Sequence, residues 1–599
     1  MPINTRKFRR FSRRLGLKSE WYLFLVAALI GLTMAVVATA FLWPLEWIAN
    51  RETNLDPALL WLAVLLGPCI GGLLVGLVRT GISAPYIGPG VTTAIYAVLR
   101  QRGRLPARVG IQKWICSTLT IGSGGSAGAE GPIVTIGGAI GSAVGRGLHL
   151  SSQNTTTLLG CGAAAGIAAV FNAPIAGVLF VMEILLRDFS LRTFTPIVIA
   201  AVVASAGTQG ILHDEAIFAL GPEFMLQEGE FRLSFMPAWL GLGLLCGLAG
   251  VVFIRGLALS AKLFDRLPGP VWIRPASGGL CLAILGLIFL LTAGTSLPFF
   301  YGNGYPEIES LLSPARYITG EESGAMGMLM LALCAMLALK LVGTCLTIGS
   351  GGAGGMFAPS LMMGAIIGGC LGLSLEWVGL LEHGTPARFA LVGMAAMVAS
   401  VTHAPLTGIL IVYELTRQYE VVLPLMLAAV VATVVARWLC PDSIYSAKLR
   451  AAGIRFGGGG EMSALCRLTV QDLLLNEAVT IPSASPATDL VDLAESTGAA
   501  DFVAVDSHGH YLGMVTSQDL KAALVFREAL PLLQVSELIR SDLGIITPDD
   551  TLDTVLEKFA ANDVDALPVL VDGDLGRISG LVTRRRLMKR YQSALDENA

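Results

Sequence analysis

Gly122 to Pro132 reads G-S-G-G-S-A-G-A-E-G-P and opens an apolar run, Ile133 to Val144. One acid, Glu130, stands there among small and apolar residues. Glycines let backbone N–H groups crowd together without interference from a Cβ. Pro132 suits the first turn of a helix, where its missing N–H costs nothing. The stretch therefore predicts a broken backbone followed by a helix start near Glu130. Inside a membrane, such a start points unpaired N–H donors and a partial positive charge inward, making an anion site from neutral backbone.

The stretch recurs. Thr120 to Pro132 (T-I-G-S-G-G-S-A-G-A-E-G-P) and Thr347 to Pro359 (T-I-G-S-G-G-A-G-G-M-F-A-P) agree at eight of 13 positions, at an offset of 227. Phe171 to Glu183 (F-N-A-P-I-A-G-V-L-F-V-M-E) resembles Thr402 to Glu414 (T-H-A-P-L-T-G-I-L-I-V-Y-E) at an offset of 231. Small residues also serve close helix packing in membranes. Two colinear matches at nearly one offset favour instead a transporter fold built from repeats, with substrate where broken helices meet.

The composition agrees. Of 599 residues, 54% are hydrophobic and 14% charged, and mean hydropathy is +0.68. Soluble domains carry about 25% charge, so the chain is an integral membrane protein. Residues 461–599 hold 22 of the 44 acids, which marks a separate soluble domain there. A net charge of -3 gives no reason to expect a nucleic-acid partner. The ten cysteines fall singly and read as small apolar residues, not as a metal site or disulfide frame.

Residues 1–20 carry seven Lys or Arg against one acid, ahead of the apolar segment Trp21 to Ile48. This reads as a positive-inside anchor and places the N-terminus in the cytoplasm. Apolar segments then fill 21–450 in two related halves, about 21–212 and 233–450, separated by a polar loop. Several are too short to cross about 30 Å of hydrocarbon at 1.5 Å per residue. Their ends must hide against protein or a water-filled cavity, so the fold class is an all-α, polytopic, broken-helix bundle.

These residues resemble the CLC family of chloride channels and proton–anion exchangers over nearly the whole chain. G-A-E-G-P (Gly128, Ala129, Glu130, Gly131, Pro132) is similar to the family's G-R-E-G-P, and G-M-F-A-P (Gly355, Met356, Phe357, Ala358, Pro359) to its G-x-F-A-P. F-N-A-P-I-A-G-V-L-F at Phe171 to Phe180 and Tyr445 of S-I-Y-S-A-K-L match as well. So does G-P-G-V (Gly88, Pro89, Gly90, Val91), where the family has G-S-G-I-P. The resemblance implies the inverted-repeat CLC fold and a homodimer with one anion pathway in each subunit. Chloride as bound substrate would meet the N–H groups of Met356 and Phe357, the hydroxyl of Tyr445 and the Pro89–Gly90 segment. It implies that Glu130 is the gate, its ionised carboxylate occupying the anion's own position. Glu183 and Glu414, the paired acids of the repeats, read equally as helix-end acids.

Three departures bear on function. Ile184, next to Glu183, stands where exchangers of the family place an inner proton-relay acid, so transport is expected to be channel-like with weak or no proton coupling; the alternative is a proton-coupled chloride exchanger. Pro89 replaces a serine whose hydroxyl faces the anion, which predicts relaxed selectivity towards nitrate. Ala129 replaces an arginine beside the gate.

A linker, 451–467, holds the glycine run Gly457 to Gly460 and leads to two similar units, 468–527 and 533–592. G-M-V-T-S-Q-D-L (Gly513 to Leu520) and G-L-V-T-R-R-R-L (Gly580 to Leu587) resemble a tandem pair of α/β CBS domains. The resemblance implies a regulatory or dimer-stabilising role and an adenine nucleotide as a candidate ligand. Thr516, Asp519 and Thr583 fit the nucleotide pattern, while Arg586 replaces the second aspartate. No cofactor is required. A cation transporter would need clustered oxygen ligands, which the membrane segments lack. A membrane-tethered nucleotide sensor would need no paired helix breaks. No nucleophile motif, Walker loop or metal cluster suggests an enzyme. The expected setting is a bacterial-type inner membrane, multi-pass, with both termini cytoplasmic.

Overall fold

Apolar runs with little interior charge become long helices, and the glycine stretches become the breaks between them. A computed structural model describes residues 21–52, 56–82, 90–212, 218, 235–293, 297–317, 323–380, 386–452, 468–473, 475–525, 528–562, 564–571 and 576–596. The basic N-terminus, Gly88, Pro89 and the Gly457 to Gly460 run lie outside them. The chain divides into two compact units, Met1–Phe456 and Gly457–Ala599.

In the first unit, nine helices among the described residues are long and apolar enough to span a bilayer, from Trp21–Ile48 to Val422–Leu439. Others are short, including Gly90–Arg100, Pro174–Phe180 and Pro405–Thr416. The mostly apolar run after Pro174 is an α-helix to Phe180 followed by a π-helical turn, Val181–Leu186. The eight-residue helix Tyr305–Leu312 gave no apolar signal, because Glu307 and Glu309 interrupt so short a run.

The repeats are visible in the packing. Glu130–Gly147 packs on Ser152–Phe171, and Phe357–Trp377 packs on Pro386–Thr402. Both crossings rest on facing glycines. A Cβ on Gly137 would strike the carbonyl of Gly162 and the reverse, and Gly364 and Gly393 stand in the same relation. Backbones can approach this closely only where neither residue carries a side chain.

In the second unit β1 (Thr480–Pro482) pairs parallel with β2 (Phe502–Val505), which pairs antiparallel with β3 (Tyr511–Val515). β4 (Ala566–Leu570) pairs antiparallel with β5 (Ile578–Thr583). The halves exchange segments. Asn476 bridges to Leu581 and Val470 N–H donates to the Asp550 carbonyl, while Arg540 bridges to Met514 and Val535 N–H donates to the Ser485 carbonyl. Val470 and Leu473 thus enter the core of the later half, and Val535 that of the earlier half.

Candidate functional site

The two glycine stretches meet face to face. Gly128 N–H donates to the Gly355 carbonyl at 2.9 Å and Gly355 N–H to the Gly128 carbonyl at 2.7 Å, a two-bond ladder between the repeats. Behind it the pinning is reciprocal. Ser126 N–H donates to Thr347 Oγ1, and Ala353 N–H to Thr120 Oγ1, both at 3.1 Å. Each repeat's helix thus fixes the other's loop, and two helix starts face each other: Glu130–Gly147 and Phe357–Trp377.

Glu130 lies at that junction and is buried, 3% exposed. Its carboxyl faces the Ala358 amide and accepts from the Tyr305 hydroxyl at 3.1 Å through Oε1. Oε2 is buried and has no hydrogen-bond partner among the described residues. It sits over the Cα atoms of Gly128 and Gly355, where a Cβ on either would collide with it. A buried oxygen without a donor is costly when charged, so the carboxyl is held through Oε1 while Oε2 is left without compensation.

Met356 is the N-cap residue of the second helix start, and Phe357, Ala358 and Pro359 form its first turn, all buried. Phe171 and Phe357 meet with ring centroids 6.3 Å apart. Tyr445 is buried, edge-on to Phe180 at 6.5 Å and within electrostatic reach of Glu130. Gly90 begins the Gly90–Arg100 helix against the Glu130–Gly147 helix: a Cβ on it would collide with the Gly131 carbonyl and lie 2.6 Å from Thr135 Oγ1. Val91, Ala129, Gly131 and Pro132 are buried nearby in the sequence of these starts.

Glu183 and Glu414 take helix-end roles, once more reciprocally. Glu183 accepts from Leu406 N–H (3.3 Å), Thr407 N–H (2.8 Å) and the Thr407 hydroxyl (2.7 Å). Glu414 accepts from Ile175 N–H (3.0 Å) and Ala176 N–H (2.6 Å). Ile184 is buried in the π-helical turn.

Tyr305 and Lys340 were missed by sequence reasoning. Lys340 is fully buried in the Ser323–Gly349 helix. A signal existed, since Lys113 and Lys340 share the 227 offset and both are buried. Tyr305 gave none, because its approach to Glu130 is long-range.

In the second unit Asp519 Oδ2 accepts from Thr516 N–H at 3.1 Å and from the Thr516 hydroxyl at 2.5 Å, capping Ser517–Val525. At the equivalent place Thr583 Oγ1 accepts from Arg586 N–H at 3.4 Å, and the Arg586 guanidinium donates to the Leu475 carbonyl at 3.0 Å.

Comparison with known proteins agrees with this architecture. A family model described as voltage gated chloride channel matches residues 71–437, and CBS domain models match 470–526 and 535–593. A ClcB-like chloride channel protein of Ralstonia nicotianae is 33% identical over 71% of this chain and 96% of its own length. The voltage-gated ClC-type chloride channel ClcB of Escherichia coli O81 is 32% identical over 70% of this chain and 97% of its own. A slow cyanobacterial Cl-/H+ antiporter superposes with a TM-score of 0.61 at 28% identity, covering 72% of this chain and 98% of that one. A CLC-type fluoride/proton antiporter superposes at 0.57 with 26% identity, covering 71% and 96%. The chain belongs to the CLC family, a multi-pass membrane anion transporter with a C-terminal pair of CBS domains.

Proposed function

We propose that the protein passes chloride through a pathway gated by Glu130 and does so in a channel-like manner. The observation that carries this reading is the seat of the Glu130 carboxyl between Gly128 and Gly355, where two helix starts face each other. Backbone donors hold a halide without a fixed counter-charge that would trap it. The N–H groups of Met356 and Phe357 and the Tyr445 hydroxyl are the proposed anion ligands. The ionised carboxylate competes for that place; protonation, or anion arriving, moves it aside. Glu130→Gln mimics the protonated acid at nearly constant volume. Chloride efflux from proteoliposomes should then lose most of its pH dependence, and a wild-type pH profile in that variant would reject the gate.

Weak proton coupling rests on Ile184, which cannot relay a proton beside Glu183, while the Glu183 carboxylate is already engaged by Leu406 and Thr407. A second reading, exchange, is favoured by the two solved neighbours, both described as antiporters. A chloride gradient across proteoliposomes with external pH recorded separates the two: uphill proton movement in fixed ratio to chloride means exchange.

Nitrate permeation equal to or above that of chloride is expected from Pro89, which supplies neither a hydroxyl nor an N–H. The same reading includes a homodimer, an inner-membrane setting with cytoplasmic termini, and a CBS pair that binds adenine nucleotide in one half at most. Thr516 with Asp519 keeps the pattern there, whereas Arg586 occupies the corresponding place in the other half. Calorimetry of the full chain with AMP, ADP and ATP, with and without Asp519→Ala, tests the nucleotide.

A further inference from the structure

Tyr305 reaches the gate from the end of a strap, Phe300 to Gly304, that is itself tied down. The Gly302 carbonyl accepts from Ala127 N–H, in the gate loop, at 3.2 Å, and from Lys340 Nζ at 3.1 Å. The Phe300 carbonyl accepts from the same Nζ at 3.4 Å. Gly304 turns strap into helix with φ 82°, and a Cβ there would stand 3.3 Å from Nζ. Asn303 Oδ1 then accepts from Tyr305 N–H at 3.2 Å, and the Tyr305 ring lies edge-on to Phe218 at 5.8 Å. Burying a lysine inside a membrane protein is expensive, and two carbonyl contacts offset only part of that cost. Placing the strap gives this one a purpose. The titratable groups facing the Glu130 carboxyl are Tyr305, Tyr445 and Lys340, and Lys340 in turn faces Glu307.

We propose that Tyr305 and Lys340 form a latch on the gate, in which the Tyr305 hydroxyl holds the Glu130 carboxylate in its seat and Lys340, through the Phe300 to Gly304 strap, positions Tyr305. The latch deepens the gate reading of Glu130 and rests on it. A hydrogen bond donated to a carboxylate favours the ionised form. Ionised Glu130 is the closing form, so the latch sets how acidic the medium must become before the gate releases.

The test is chloride efflux against pH for the full-length protein in proteoliposomes. Tyr305→Phe removes one oxygen and should move the pH of half-maximal efflux upward by about one unit. Lys340→Met should move it the same way, and the double variant no further than the larger single shift, because both act through one hydrogen bond. Lys340→Gln keeps an N–H donor for the Gly302 carbonyl and should stay closer to wild type than Lys340→Met. Tyr305→Phe added to Glu130→Gln should change nothing further. A wild-type profile for Tyr305→Phe, in a protein whose Glu130→Gln form is flat, overturns the latch and leaves the gate standing. Equal shifts for Lys340→Met and Lys340→Gln that add to that of Tyr305→Phe overturn the positioning role of Lys340. A Glu130→Gln form with the wild-type profile ends the gate reading itself, a different outcome from either.

Discussion

Two glycines and one acid carry the site at the scale of single residues. Glu130 can fold its carboxyl back over its own loop only because Gly128 and Gly355 leave the space that a Cβ would fill. A methyl at Gly355 therefore fills the seat while leaving the acid in the sequence, and it also presses on the Gly131 backbone nitrogen, 2.8 Å away. Gly355→Ala should raise chloride efflux at pH 7.5 about tenfold, which corresponds to displacing the closed state by about 1.4 kcal/mol. It should also flatten the pH profile towards that of Glu130→Gln. The same efflux assay checks it, and combining the two substitutions should add nothing. Unchanged closure at high pH would mean that the carboxylate rests elsewhere.

At the scale of elements, the short helices Pro174–Phe180 and Pro405–Thr416 begin with proline and lack side-chain caps of their own. Their caps come from the opposite repeat. Glu414 serves the first and Glu183 the second, each with carboxylate oxygens on two consecutive N–H groups. Charge-assisted bonds of this kind are stronger than neutral ones. Glu414→Ala should cost about 1–3 kcal/mol and lower the thermal midpoint in detergent by several degrees. Glu414→Gln, which keeps an acceptor oxygen, should recover part of the loss. Glu183→Ala should cost at least as much, since the Thr407 hydroxyl also donates to it. A Glu183→Ala protein as stable as wild type would free that residue for a role in proton movement.

On the scale of the whole molecule, each unit hides its repeat boundaries by exchange. Because Val470 and Leu473 complete the later CBS core and Val535 the earlier one, the two halves cannot melt independently. Calorimetry of the full chain should show a single transition for Gly457–Ala599, and two would refute the exchange. Asp501, just before β2, accepts from Ser517 N–H at 3.0 Å. Burial, with Asp565 and Asp519 close by, nevertheless holds its carboxyl above the usual carboxylate range. A folded value above the unfolded one gives stability that is present below about pH 4 and lost as pH rises through the folded value. Asp501→Asn keeps the acceptor and removes the charge. It should raise that transition's midpoint at pH 7.5, with the gain shrinking as pH falls towards 4.

The membrane class, the two halves and the helix starts at Glu130 and Phe357 were legible in the sequence, because hydropathy, glycine and proline act over a few neighbouring residues. So was the pairing of Thr120 to Pro132 with Thr347 to Pro359, since a repeat is a property of order alone. The tertiary structure decided what each repeat does to the other. It laid Gly128 against Gly355, gave Thr120 to Ala353 and Thr347 to Ser126, and set Glu183 and Glu414 on each other's helices. It also brought Tyr305 to Glu130 from 175 positions away along the chain, and Lys340 to the strap that precedes Tyr305. No local pattern encodes such contacts. They join residues far apart in the chain, and at Gly128 and Gly355 glycine lets the two halves close until backbone meets backbone.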